Sequence, residues 1–289
     1  MHRYSSLVLY LGLFILHALP LSLRAQRLSL GLELGGINYQ GEMQNLSFSF
    51  TGMHLHNGVS VMYDLSDRWS VQGTLVHGNL SGRDRQLLRN SNNQARNLSF
   101  NTRLEEFGFL LRWRALSDGP LTPYGVSGAA VFNIDPMTVD AAGITHALYP
   151  LSTEGQGLPE YPLQPLHRYT NLALPFGGGV EVRVGRWFRI DLEVMFRKSF
   201  TDYIDDVSSF YVDPVILARH RGPKAVELAY RGDEVPGGSP VYPAAGSQRG
   251  NRLRMDWYHS VNLRVRVIPH DWRRAKIDRR GARKVECPR

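Results

Sequence analysis

The sequence predicts an all-β protein: an eight-stranded antiparallel transmembrane β-barrel with short periplasmic turns and long external loops. Three observations predict it. Apolar and polar residues alternate with period two in eight segments of about ten residues, the length of a tilted strand crossing a bilayer. Helical periodicity is nearly absent beyond residue 25. Tight turns and long loops follow one another in strict alternation, a rhythm that a soluble sandwich has no reason to adopt.

Composition narrows the alternatives. Only one run in the 289 residues, at 7–23, approaches the ~20 apolar residues of a spanning helix, so a helical membrane protein is excluded. A single cysteine, Cys287, excludes a disulfide framework within the chain, and 10% aromatic content argues against disorder. The first element reads as a leader: His2 and Arg3, the apolar run, then Ala25 before Gln26. The expected organisation is therefore a signal peptide at 1–25, a barrel at 26–268 and a basic periplasmic tail at 269–289. Losing Arg3 and Arg24, and no acid, lowers the formal charge from +8 to +6. Export removes the chain from nucleic acid, which is not expected as a partner.

The eight segments follow in order. Leu28, Leu30, Leu32 and Leu34 alternate with Ser29, Gly31 and Glu33; Val59, Val61 and Tyr63 with Ser60 and Met62; Trp69, Val71 and Leu75 with Ser70, Gln72 and Thr74. Phe107, Phe109, Leu111 and Trp113 form the fourth row, and Tyr124, Val126, Ala130 and Phe132 the fifth. Leu172, Leu174, Phe176, Val180 and Val182 form the sixth, where Pro175 removes a ladder hydrogen bond and predicts a bulge or a shorter strand. Phe188, Ile190, Leu192, Val194 and Phe196 precede the closing row of Val261, Leu263, Val265 and Val267. The tight turns fall at 65–68, 115–121 and 185–186, and the long loops at 37–55, 79–102, 133–169 and 199–255.

Tyr63, Trp69, Trp113, Tyr124 and Trp187 sit at segment ends beside the short turns, as a headgroup-level aromatic girdle would. The polar rows place Glu33, Glu106, Glu181, Asp191 and Glu193 against Arg112, Arg183, Arg189, Arg197, Arg264 and Arg266. Inside eight strands these charges should pair into a filled core with no open pore.

Five strings carry a family resemblance: LGGINYQGEM (34–43), TPYGVSGAAVFNIDP (122–136), LYPLSTEGQG (148–157), LPFGGGVEVRVG (174–185) and FRKSFTDYIDDVSSFYVDP (196–214). With RGN at 249–251 and CP at 287–288, they resemble the PorG-type outer-membrane β-barrels of Bacteroidota, in the same order along most of the chain. The resemblance implies a non-enzymatic component of the type IX secretion system. It would join the periplasmic ring, built from a PorK-like lipoprotein and its PorN-like partner, to the outer membrane. Its family-motif loop residues here are Thr153, Glu154, Gly155, Asp202, Tyr203, Asp205, Asp206 and Asp213.

Three chemistries remain to be weighed on the residues themselves. Asp202, Asp205, Asp206 and Asp213 could offer oxygens to Ca²⁺, but no EF-hand loop is present, and the aspartates read as turn caps in a hydrogen-bonded loop. No metal or cofactor is expected. The histidines scatter: His54 and His56 in the first loop, His77, His146 and His167, His220 and His259. A lipid-modifying barrel enzyme would need serine, histidine and carboxylate together, and the neighbours His259 and Ser260 point to opposite faces. Adhesion is the third class; Arg83, Arg85, Arg89 and Arg96 could meet lipopolysaccharide phosphates or form a solvated face.

The tail carries eight cationic residues against three acids, among them Arg279, Arg280, Arg283 and Lys284. It reads as a strip held on lipid phosphates or as a docking arm for an acidic periplasmic protein. An unpaired cysteine in an oxidising compartment suggests a free thiol or an intermolecular bridge. Given the family's place against the ring, Cys287 is expected to bridge to the ring lipoprotein.

Overall fold

The computed structural model describes residues 28–44, 48–86, 95–116 and 119–268. The expected signal peptide at 1–25, Arg89, and the expected tail with Arg279, Arg280, Arg283, Lys284 and Cys287 lie outside the described residues.

Eight strands close into an antiparallel barrel: β1 (Leu28–Gln40), β2 (His54–Asp64), β3 (Trp69–Arg83), β4 (Ser99–Arg114), β5 (Leu121–Asn133), β8 (Thr170–Val184), β9 (Phe188–Ser199) and β10 (Trp257–Val267). Each pairs with its neighbour in sequence, β10 returns to β1, and β3 to β4 completes the ring. Two short strands, β6 (Pro136–Val139) and β7 (Thr145–Ala147), extend the wall beyond β4 at the loop end. Those two were not expected. They form because β3 and β4, at 15 and 16 residues, run past the membrane thickness and leave an edge for loop residues to pair with.

Alternation decides which face each side chain takes. Leu32 and Phe109 stand 70% and 58% exposed on the outer wall, with Leu30, Leu75, Phe107, Leu192 and Leu263 among the same belt. An apolar belt of that extent is lipid-facing surface. No helix among the described residues is long and apolar enough to cross a membrane; the strands do the crossing. Tyr63, Trp69, Trp113 and Trp187 ring the turn end as expected. A second aromatic group stands at the loop end, where Phe176 stacks on Phe196 at 5.8 Å and meets Trp257 edge-on at 6.0 Å.

Several expectations are corrected. Tyr124, Val126, Ala130 and Phe132 point into the barrel, leaving Leu121 and Val131 outside. Tyr124 therefore belongs to no girdle; its hydroxyl donates to Glu193 at 3.0 Å under the Arg112 guanidinium. Pro175 makes neither a bulge nor a short strand. The pairing of β5 with β8 skips Gly128 and Ala129 and resumes in unchanged register at Ala130↔Ala173, and β8 keeps 15 residues. The proline faces the lumen, and its carbonyl accepts from Ser127 Oγ at 3.1 Å. His54 and His56 lie on β2 rather than in a loop.

The expected pairing of lumen charges is borne out. Arg112 grips Asp191 with two hydrogen bonds of 2.9 and 3.1 Å, and Arg266 Nε reaches the same carboxylate at 2.7 Å. Arg264 bridges Glu33 and Glu193, Arg266 meets Glu181, and Arg197 pairs with Glu106 at 2.9 Å. His56 also faces Glu33, at 3.2 Å. The composition of the network differs from expectation at one end: Arg183 is exposed near the turns, and Arg114 joins Glu181 in its place. Side chains thus fill the interior.

Candidate functional site: a buried polar cap over the barrel

At the loop end the long connections fold together over the barrel. Their apolar floor is made by Ile37, Leu80, Phe100, Phe132, Ile204 and Val207 with Tyr39 and Tyr258, all buried. Above it, Glu154 is fully buried and accepts four donors. These are the amides of Ser208 and Ser209 at 2.9 Å, the Ser209 hydroxyl at 2.6 Å and Arg249 Nη1 at 2.8 Å. Arg249 also donates to the carbonyls of Asp206 at 2.6 Å and Ala229 at 3.2 Å. Thr153 Oγ1 donates to Asp206 at 2.5 Å, and burial pushes that carboxyl up to about 7 despite the nearby guanidinium. Asp206 and Ser152 hold left-handed backbone, φ 62° and 47°, a geometry that the surrounding hydrogen bonds enforce. Gly155, at φ 74°, turns so tightly that a Cβ would press on the Tyr161 ring.

A second group lies beside the first. Carboxylate oxygens of Glu42, Asp205 and Asp256 all fall within 4.8 Å of one another. The Tyr39 hydroxyl contacts Asp205 Oδ2 at 2.6 Å and Asp256 Oδ1 at 3.0 Å. Backbone amides complete the hold: Val207 on Asp205 and Ile204 on Asp256. Burial, then the neighbouring carboxylates, pushes Glu42 up to about 8 and Asp256 well above the usual carboxylate range. Asp202, 5% exposed, lies beside the Ser208 hydroxyl; burial, then the charges of Glu42 and Asp205, push it up to about 9 despite that contact.

The motif residues of the third and fifth strings therefore meet: Thr153, Glu154, Gly155, Asp202, Tyr203, Asp205 and Asp206 occupy one cap. Tyr203 stacks on His167 at 4.8 Å, and desolvation holds that imidazole down at about 4. Asp213 stands apart. It caps the helix α1 (Pro214–Arg221), accepting from the amides of Val215 and Ile216 at 2.7 and 3.2 Å, ahead of α2 (Pro223–Ala229). The turn-capping reading holds for Asp205 and Asp213 and fails for Asp202. The basic reading of the second loop is corrected at Arg96, which is buried and pairs bidentately with Asp84 at 2.7 and 2.8 Å; Arg83 and Arg85 remain exposed.

Sequence reasoning missed Glu42, Arg249 and Asp256 as members of the site. The first two lie within recurring strings, LGGINYQGEM and RGN, which was the available signal; Asp256 carried none. It also missed a serine–histidine hydrogen bond, Ser81 Oγ to His54 Nε2 at 2.7 Å, behind which no carboxylate stands among the described residues. His259 and Ser260 take opposite faces as expected: His259 lies under the Ser49 carbonyl outside the wall, and Ser260 accepts from Arg197 inside.

No protein-family model and no curated protein matches the chain. Among solved structures the chain is similar to Neisserial surface protein A, at 8% identity over 83% of this chain and 96% of that one, with a TM-score of 0.41. It is also similar to Ail, the attachment invasion locus protein of Yersinia pestis, solved with the heparin analogue sucrose octasulfate, at 9% identity over 83% and 97% of the two chains and a TM-score of 0.39. A major outer membrane protein of Thermus thermophilus gives 10% identity, coverage of 83% and 98%, and a TM-score of 0.39.

Proposed function

We propose that this chain is a non-enzymatic outer-membrane component of type IX secretion. Its barrel sits in the outer membrane with both termini in the periplasm, and its basic tail anchors the periplasmic ring of a PorK-like lipoprotein and a PorN-like partner. The observation that carries this reading is spatial. Glu42, Thr153, Glu154, the run from Asp202 to Ser209 and Arg249 come from four strings scattered over some 200 residues and build one cap, while the two remaining barrel strings pair as β5 against β8. Strings that share one folded unit support a resemblance to a family better than scattered matches do. The ion-paired lumen favours an anchor over a conduit.

Arg279, Arg280, Arg283 and Lys284 supply the attraction to an acidic partner or to lipid and lipopolysaccharide phosphates, and Cys287 the covalent link to the lipoprotein. The test is a thiol-blocked, non-reducing gel of intact cells carrying wild type or Cys287→Ser, alongside an assay of secreted cargo. A higher-mass band that contains the lipoprotein and disappears in the variant, with secretion reduced, is the expected result. Monomer alone, with secretion unchanged, removes the anchoring reading.

A second reading, adhesion, is favoured by apolar side chains displayed on the cap: Leu253 at 94% exposure, Leu163 at 83% and Val241 at 71%. Leu253→Ser with Leu163→Ser would lower cell attachment and leave secretion intact if adhesion is the role.

A further inference from the structure

We propose that the outer wall of β8, β9 and β10 at the loop end binds lipid A, the phosphorylated glycolipid of the outer leaflet. Its acyl chains would lie on a row of exposed apolar side chains and its phosphates on Lys198, Arg252 and Arg254. The proposal takes from the section above only that the loops face outward. It uses neither the tail nor the ring, so failure of the anchoring reading leaves it standing.

Strand register sets out the depth profile of this wall. Val180, Leu192, Leu263 and Leu34 are cross-strand neighbours within the apolar belt. Nearer the loops, Phe176, Phe196, His259 and Asn38 form one such row, and Leu174, Lys198 and Trp257 another. The ladder then runs on past the strand ends. The Phe200 amide donates to the Leu172 carbonyl at 3.0 Å and the Ser199 amide to the Asp256 carbonyl at 3.2 Å, which sets Phe200 between Leu172 and Met255. All three side chains are exposed, Phe200 by 61%.

Lys198 therefore stands inside the apolar surface, with Phe196 and Phe200 before and after it on one face and Leu174 and Trp257 at its sides. Its Nζ lies 5.8 Å from the Trp257 ring. A charge on a lipid-facing wall is costly unless it reaches the headgroups, and a lysine stem can lie along apolar surface while its ammonium rises to them. Arg252 and Arg254 are exposed just beyond Met255, in a turn closed by the Arg254 amide on the Asn251 carbonyl at 2.9 Å. None of the three cations meets a carboxylate at ion-pairing distance among the described residues. Cations free of acids at the margin of a lipid-facing surface suit phosphate, which the guanidinium fork accepts in bidentate fashion.

The first loop adds to the same wall. Asn38 and His259 are register partners on its lipid-facing side, and both are buried. A strap from the first loop covers them. Asn38 Nδ2 donates to the carbonyls of Ser49 and Thr51 at 2.8 and 3.0 Å, and the His259 ring lies 3.2 Å from the Ser49 carbonyl. Phe48 packs on His259 at 4.7 Å and on Phe196 at 5.9 Å, and it meets Phe50 edge-on at 5.1 Å. The strap thus hides two polar side chains from hydrocarbon and displays Phe50, 66% exposed, to it. Apolar surface continuous with the lipid belt and unpaired cations at its loop-end margin match a ligand that joins acyl chains to phosphate.

The test titrates the full mature chain, folded in detergent, with diphosphorylated lipid A and counts retained lipid by native mass spectrometry. Each cation beside an anionic surface is worth roughly fivefold in affinity, so the triple variant Lys198→Gln, Arg252→Gln, Arg254→Gln should bind on the order of a hundredfold more weakly. Removing the phosphates from lipid A should weaken its binding to wild type to a similar degree and make no further difference to the triple variant. Phe50→Ser with Phe200→Ser should weaken binding of both forms of the lipid. Heat-modified gel mobility reports whether each barrel folds; if a variant fails that control, wild type with the two forms of lipid A decides. Equal binding of lipid A by folded wild type and triple variant overturns the site. So does wild type that binds dephosphorylated lipid A, or phosphatidylglycerol, as tightly as diphosphorylated lipid A.

Discussion

The lumen and the cap bury carboxylates by opposite means. In the lumen Glu33, Glu106, Glu181, Asp191 and Glu193 each meet an arginine, and several guanidinium groups serve two acids. In the cap Glu154 has Arg249, but Glu42, Asp205 and Asp256 gather together, and neither aspartate has a cationic side chain at pairing distance among the described residues. A barrel interior neutralised within itself is built for permanence. A cluster of buried acids without bases is stable only if protons or an ion complete it. The contrast separates a structural core from a region poised to respond to its surroundings.

The largest effect that would sharpen this contrast is in the lumen. Asp191→Asn takes from Arg112 and Arg266 the carboxylate they share and leaves both with Glu181 alone; breaking a buried pair in this way costs about 3–5 kcal/mol. The midpoint of urea unfolding in lipid vesicles should fall accordingly, and an unchanged midpoint would show that water reaches these arginines. Arg249→Met should act as strongly but locally. Glu154 would keep its amide donors and lose its cation, so the 200–256 loop should become protease-sensitive while the barrel keeps its heat-modified mobility.

A smaller effect tests the cap's response to acid. His167 is held at about 4 by desolvation against an ordinary value of 6.5, so the unfolded cap binds its proton more readily than the folded one. The contribution of its neutral form is intact above about pH 6.5 and is lost as pH falls toward about 4, by at most about 3 kcal/mol. His167→Phe preserves the stack on Tyr203 and should flatten that part of the pH dependence of cap proteolysis. A profile identical to wild type would place the acid sensitivity elsewhere.

The smallest change has the opposite sign. Asp202, raised to about 9, must take up a proton to fold at neutral pH, so Asp202→Asn spares that cost and should stabilise the cap by about 1–2 kcal/mol, where the same substitution at Asp191 destabilises. Destabilisation by Asp202→Asn would show that the folded cap holds this carboxylate in its charged form.

How much of this was legible beforehand follows from range. Period-two alternation at Leu30, Leu32 and Leu34 or at Leu263, Val265 and Val267 is local, and a barrel that must show apolar residues to lipid and polar ones to its interior writes that rule into every strand. Strand number, loop order and the pairing of lumen charges follow from it. The rule misled where both faces of a strand were small or apolar, as in β5, since Tyr124 and Phe132 look equally at home in lipid or in a lumen with space for them. Only closure of the barrel decided their side. The cap was beyond the reach of any periodicity, because Glu42, Glu154, Asp205, Arg249 and Asp256 lie in irregular loops up to 214 residues apart. Which acid receives an arginine and which is left among other acids depends on distances that exist only once four loops have folded over the same barrel mouth.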